Sequence, residues 1–166
     1  MLLIIIFLFH YSICTVCSSL GQTLIAESST IKTLTSPNYP SDYDSDTICS
    51  WTIETRQLSD YVVEVTFDDF RLESDNLQYC SSDYLAVYDG LPQSDSDVIG
   101  TFCGFIGPDS KVFSTGRHLT LRFVTDTVFN YRGFKLSYFA VPAGRLNALL
   151  MYILAGIVAV CDPIPT

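Results

Sequence analysis

Cys80-Ser81-Ser82-Asp83-Tyr84-Leu85-Ala86-Val87-Tyr88-Asp89-Gly90 is the stretch that decides the fold class. Over residues 83–88 the side chains alternate, with Leu85 and Val87 on one parity, and a two-residue period places them on one face of an extended strand. Asp89-Gly90 then supplies a turn. The pattern recurs outward from this run. Val63, Val65 and Phe67 in 61–67, Leu119, Leu121 and Phe123 in 119–124, and Leu136 within 134–138 each hold one parity, as half-buried strands do. Ser36-Pro37-Asn38-Tyr39-Pro40, Gly107-Pro108-Asp109 and Gly116 punctuate the strands, and no capped helical run interrupts them. Many short strands with regular turns predict an all-β sandwich or jelly roll.

Composition agrees with one packed β domain. The chain has 166 residues, 13% aromatic and 16% charged, with an apolar content of 48% that is raised by apolar segments at both ends. That leaves room for one domain of roughly 120 residues. Eighteen acidic residues against nine Lys and Arg give a net charge of −9, which repels nucleic acid and anionic lipid and suits cations or basic protein surfaces. No nucleic-acid partner is expected.

The two ends read as targeting segments. An apolar run over residues 2–9, followed by small residues at Cys17, Ser19 and Gly21, predicts a secretory signal peptide over 1–21, although no Lys or Arg precedes the run. The domain then occupies 22–142. Residues 143–166 form an apolar C-terminal tail whose mostly apolar run, Leu146 to Cys161, is sixteen residues long, shorter than the roughly 20 of a spanning helix, and its polar spacer is too short for a lipid-anchor signal. A marginal membrane span beside Arg145, a processed anchor signal and an incorrectly joined final exon remain open. A secreted protein, or one on the extracellular face of the plasma membrane, is expected.

Cysteine and histidine inventory narrows the chemistry. Of six Cys, Cys14 and Cys17 lie in the leader and Cys161 in the tail, leaving Cys49, Cys80 and Cys103 to the domain. Cys80 and Cys103 flank two strands and a turn, and a bridge between them, closing a loop of that size, is worth about 3 kcal/mol. His10 lies in the leader, so His118 is the sole histidine of the domain, and no Ser or Cys nucleophile stands in a catalytic motif. An enzyme is not expected. One histidine cannot complete a zinc site, and there is no phosphate loop or Asn-x-Ser/Thr sequon.

Three motifs in register carry a family resemblance. Ser-Pro-Asn-Tyr-Pro-x-x-Tyr at 36–43, Cys-x-Trp-x-Ile at Cys49, Trp51 and Ile53, and Cys-x-x-Asp-x-Leu-x-Val-Tyr-Asp-Gly at 80–90 closely resemble the CUB family. Ile99-Gly100-x-Phe102-Cys103-Gly104, Leu119-x-Leu121-x-Phe123, Thr125-Asp126 and Gly133-Phe134 resemble its later strands, so the likeness covers roughly 23–141. It implies a jelly-roll β-sandwich of two antiparallel sheets, used for protein-protein and sometimes carbohydrate recognition. The family's first cysteine, due near Thr23, is absent, which leaves Cys49 without its usual partner; some calcium-binding members lack the same bridge. Cys49 is read as a buried free thiol beside Trp51, with pairing to Cys17 under an earlier signal cut, or to another chain, as the alternatives.

The resemblance also implies a metal site. Glu73, Asp83 and Asp126 match, position by position, the carboxylates with which calcium-binding CUB domains hold an ion, and Tyr43 matches a tyrosine that packs and hydrogen-bonds beside it. Calcium takes six to eight oxygens from carboxylates, carbonyls and water, and it relieves the repulsion of converging carboxylates. The 126–133 loop is short, with carbonyls near Val128 and Asn130 as the candidate extra ligands. Asp42, Asp44, Asp46, Asp95 and Asp97 read as solvated loop surface, because their spacing lacks the glycine and terminal Glu of an EF-hand. Asp68 and Asp69 read as neighbours that deepen the negative field. Two functions follow: a calcium-dependent module that captures a Lys or Arg of an extracellular protein, or a glycan- or lipid-binding structural protein resembling the spermadhesins, without calcium dependence.

Overall fold

A computed structural model describes residues 21–56, 60–74, 79–91 and 97–144. These form strands β1 (Gln22–Ile25), β2 (Lys32–Thr35), β3 (Ile48–Glu54), β4 (Tyr61–Arg71) and β5 (Tyr84–Asp89), then β6 (Val98–Phe102), β7 (Phe105–Ile106), β8 (Ser110–Phe113), β9 (His118–Val124) and β10 (Gly133–Pro142). One sheet has the order β1-β3-β9-β5-β6, and the other the order β2-β10-β4-β7 with β8 also on β4. The expected two-sheet β-sandwich is the observed architecture. It is antiparallel save for one pair, since β1 runs parallel to β3 with Gln22 opposite Trp51. The chain passes through β2 in the other sheet between those strands, and that crossover permits the parallel pairing.

Alternation builds the core. Trp51 and Ile53 of β3, Leu119, Leu121 and Phe123 of β9, and Leu85 and Val87 of β5 all turn to the inter-sheet space and are buried. From the facing sheet come Phe67 and Phe70 of β4 and Phe134 and Leu136 of β10. Phe67 and Phe70 are three residues apart, which strict alternation would send to opposite faces. A bulge resolves this: Phe67 pairs Leu136 and Asp69 pairs Lys135, so Asp68 is the extra residue and both rings point inward. The rings meet edge to face, Phe67 on Phe70 at 5.4 Å, Phe123 on Phe134 at 5.3 Å and Trp51 on Phe134 at 6.0 Å. Burying each such side chain contributes about 1.5–3 kcal/mol, with about 0.5–1.5 kcal/mol more for a well-placed aromatic pair.

Cys80 and Cys103 are bridged, with their Cα atoms 5.5 Å apart. Cys49, fully buried beside Trp51, is disulfide-bonded, which corrects the free-thiol expectation. Since the other two described cysteines bond each other, the partner of Cys49 is not among the described residues. Burial alone does not distinguish a core thiol from a half-cystine, and the missing family cysteine removed the cue. Residues 1–20 and 145–166, where nearly all of the leader and tail expectations fall, lie outside the described residues. Among the described residues no helix is long and apolar enough to cross a membrane.

Candidate metal centre

Strand ends at one pole of the sandwich create the site. Tyr84 pairs Val124 and Ile48 pairs Val124 from the other side, so the start of β5, the end of β9 and the start of β3 lie together. In the facing sheet Gly133 pairs Arg71, which brings the end of β4 and the start of β10 to the same pole. Asp83 stands just before β5, Asp126 just after β9, Glu73 just after β4 and Tyr43 in the connection leading to β3. The resulting cluster is tight: ligand oxygens of Glu73, Asp83 and Asp126 all lie within 4.8 Å of one another.

Tyr43 organises this cluster from beneath. Its buried ring packs edge to face on Phe123 at 5.3 Å, joining the site to the core. Its hydroxyl donates to Asp83 Oδ2, and the Tyr43 hydroxyl oxygen itself accepts the Glu73 backbone N–H at 3.1 Å. Burial, and then the hydrogen bond to Asp83, push the Tyr43 hydroxyl well above its ordinary pKa, so it stays a donor throughout the physiological range. Asp83 Oδ1 accepts the backbone N–H of Asp126 at 2.8 Å, and Asp126 Oδ1 accepts the Val128 N–H at 2.8 Å. The Asp83 and Asp126 carboxylates are thereby aimed by bonds that do not use up their lone pairs.

Electrostatics of the cluster favour a cation. Asp83 has no solvent exposure and Glu73 only 9%. Burial raises the Asp83 pKa; hydrogen bonds from Tyr43 and the Asp126 N–H pull it back, and the Asp126 charge pushes it up again. Two carboxylates at such separations repel by on the order of 3 kcal/mol at an effective dielectric of about 20. Three carboxylates brought this close together therefore fit a hard divalent ion. A protein built only to bury this pole would not gather like charges there.

Other acidic residues are engaged elsewhere. Asp69 accepts from Tyr39 at 2.9 Å and pairs with Arg132 at 2.6 Å, and Asp68 accepts from Ser137. They serve the outer face of the second sheet. Asp44 accepts from Asn38 at 3.1 Å, and its carbonyl takes the Thr125 hydroxyl at 2.9 Å, while the Asp46 N–H donates to the Asp126 carbonyl at 2.8 Å. Part of the loop read as plain solvated surface thus braces the Asp126 strand end; Asp95 lies outside the described residues. Asn130 is held by Ser45 at 3.1 Å. His118 sits at the opposite pole, 3.6 Å from Glu54. What sequence reasoning missed is the Asp83–Asp126 backbone bond, for which no local motif exists.

Comparison with known proteins gives one consistent result. The family model for the CUB domain matches residues 21–138. Human procollagen C-endopeptidase enhancer 1 is 41% identical over 113 residues, covering 68% of this chain and 24% of that protein. Among solved structures, the full extracellular region of zebrafish Gpr126/Adgrg6 superposes with a TM-score of 0.61 at 29% identity, over 75% of this chain and 15% of that one. The MASP-1 CUB2 domain bound to Ca2+ superposes with a TM-score of 0.55 at 28% identity, over 70% of this chain and 96% of that one. The chain spans a quarter or less of the curated relative it matches.

Proposed function

Because the chain belongs to the CUB domain family, we propose that it is an extracellular, calcium-dependent protein-recognition module in which Glu73, Asp83 and Asp126 hold the ion and a Lys or Arg of the partner is captured beside it. CUB domains are generally non-catalytic protein-interaction modules and occur in secreted and extracellular-face proteins. The single observation that carries the reading is the convergence of three carboxylates within 4.8 Å around a fully buried Asp83. Bound calcium would supply the fixed positive charge that lets these carboxylates stay ionised together. Tyr43 orients Asp83 and holds the Glu73 backbone, and the Asp83–Asp126 bond couples the two strand ends. Asp126, less deeply buried than Asp83, is the carboxylate best placed to meet a partner's ammonium or guanidinium. The same proposal takes 1–21 as a cleaved leader and 143–166 as the segment that sets membrane tethering.

A capture experiment tests it. The immobilised chain is incubated with secreted proteins in millimolar calcium and eluted with a chelator. We expect elution to depend on the chelator, and capture to be lost when both the Lys and the Arg side chains of the secreted proteins are chemically blocked or when Asp126→Ala replaces the parent. Elution by free sugars but not by chelator would establish the glycan-binding alternative instead.

A further inference from the structure

We propose that Tyr79, Phe105 and Phe129, together with Val128, form an apolar rim around the carboxylate cluster, and that the partner segment is one Lys or Arg flanked by apolar side chains. This rests on the calcium-dependent reading above and names the partner's chemistry. Among the described residues, only three aromatic side chains are exposed, Tyr79 at 70%, Phe105 at 69% and Phe129 at 71%. All three stand at the pole that carries the acidic cluster. Phe129 follows Asp126 by three residues in one loop, beside Val128 at 48% exposure. Phe105 pairs Arg71 at the end of β4, and the Gly104 N–H before it donates to the Glu73 carbonyl at 3.3 Å. Tyr79 precedes Cys80, four residues ahead of Asp83.

Phe129 is held outward by its loop. Its φ is +56°, a region that costs a non-glycine residue about 1–2 kcal/mol. The neighbours over-determine that conformation: Val128 N–H to Asp126 at 2.8 Å, Ser45 to Asn130 at 3.1 Å, and the Tyr43 N–H to the Tyr131 carbonyl at 2.9 Å. A solvent-facing left-handed position is easier for Gly or Asn than for Phe, so the exposed ring is better explained by contact than by folding. Aromatic anchors around a polar centre are what a protein interface uses to exclude water from its charged pair.

Charge selects the occupant. A second copy of this chain would set one acidic cluster against another, and an anionic membrane meets a chain of net charge −9. A polybasic segment meets Arg71, which lies opposite Phe105 with its guanidinium 5.6 Å from the Tyr131 ring. A single cation with apolar neighbours satisfies all three groups.

The test presents the full chain, in millimolar calcium, to an array of peptides with one central Lys and flanks that are apolar, Ser/Gly or further Lys. Apolar flanks should bind at least about tenfold better than Ser/Gly flanks, and Phe105→Ser with Phe129→Ser should erase that difference. The calcium dissociation constant of the double variant should stay within about twofold of the parent, since neither ring supplies a ligand oxygen. Flank indifference or a preference for extra Lys, with calcium uptake intact, overturns the rim and leaves the metal site standing. So does calcium-dependent sedimentation with phosphatidylserine vesicles, or self-association in the ultracentrifuge, that is lost in the double variant. A parent that takes up no calcium overturns the underlying reading instead.

Discussion

Of the three clustered carboxylates, Asp83 is the one with no access to water and two bonds that aim it, so it should matter most to a bound cation. Replacing it by Asn keeps the size and most of the hydrogen bonding while removing the charge. Asp83→Asn should therefore fold, remain within about 1 kcal/mol of the parent without calcium, and lose the calcium-induced rise in melting temperature. A calcium-induced rise equal to the parent's would remove Asp83 from the ligand set. The raised Asp83 pKa also fixes the direction of pH effects. Without calcium the folded state holds this proton more tightly than the unfolded chain, so the Asp83 contribution favours folding at low pH and is lost as pH rises from the ordinary Asp value of about 4 through the raised one. Calcium needs the ionised form, so its affinity should fall on acidification while the pH is still above the ordinary Asp range. Titrations between pH 7.5 and 4.5 read this directly; an affinity that stays flat down to pH 4.5 would contradict it.

At the level of elements, Gly133 shows what pattern reading reaches and where it stops. From sequence Gly107 and Gly116 read as turn glycines and Gly133 as part of a late strand, and the fold treats them differently. Gly133 has φ +80°, and a Cβ there would lie 1.9 Å from Ser36 Oγ, the atom that accepts the Phe134 N–H at 3.0 Å. Gly107 and Gly116 have open space around them. Gly133→Ala should cost about 2–4 kcal/mol in urea unfolding, from the left-handed backbone and the clash together, whereas Gly116→Ala should stay within about 0.5 kcal/mol. Equal effects would mean that the Ser36 turn does not clamp β10. The strands with clean alternation, such as 83–88 and 119–124, were legible because each turns its large apolar side chains to one face. Short strands such as β2, β7 and β8 were not, since four residues or fewer offer too little period and their pairing is set by partners far along the chain. The bulge at Asp68 was hidden for the same reason: it corrects the phase of Phe70 against β10, a relation absent from local sequence.

For the whole molecule, the two sheets matter because their loops meet at one pole, where four segments distant in sequence deliver Tyr43, Glu73, Asp83 and Asp126. The motif resemblance named these residues; only the fold brings their oxygens together and puts the exposed aromatics around them. Tyr43 packs on Phe123 and so ties the site to the core, which would leave a bound ion little backbone ordering to drive. Calorimetric titration of calcium into the full chain and into Asp126→Ala decides whether the cluster is a calcium site. One site is expected in the parent, with a dissociation constant of about 0.1–1 mM, worth about 1.4 kcal/mol of stability at tenfold excess, and no uptake by the variant. Absence of uptake by the parent at several times about 1 mM calcium, or equal binding by Asp126→Ala, would contradict it.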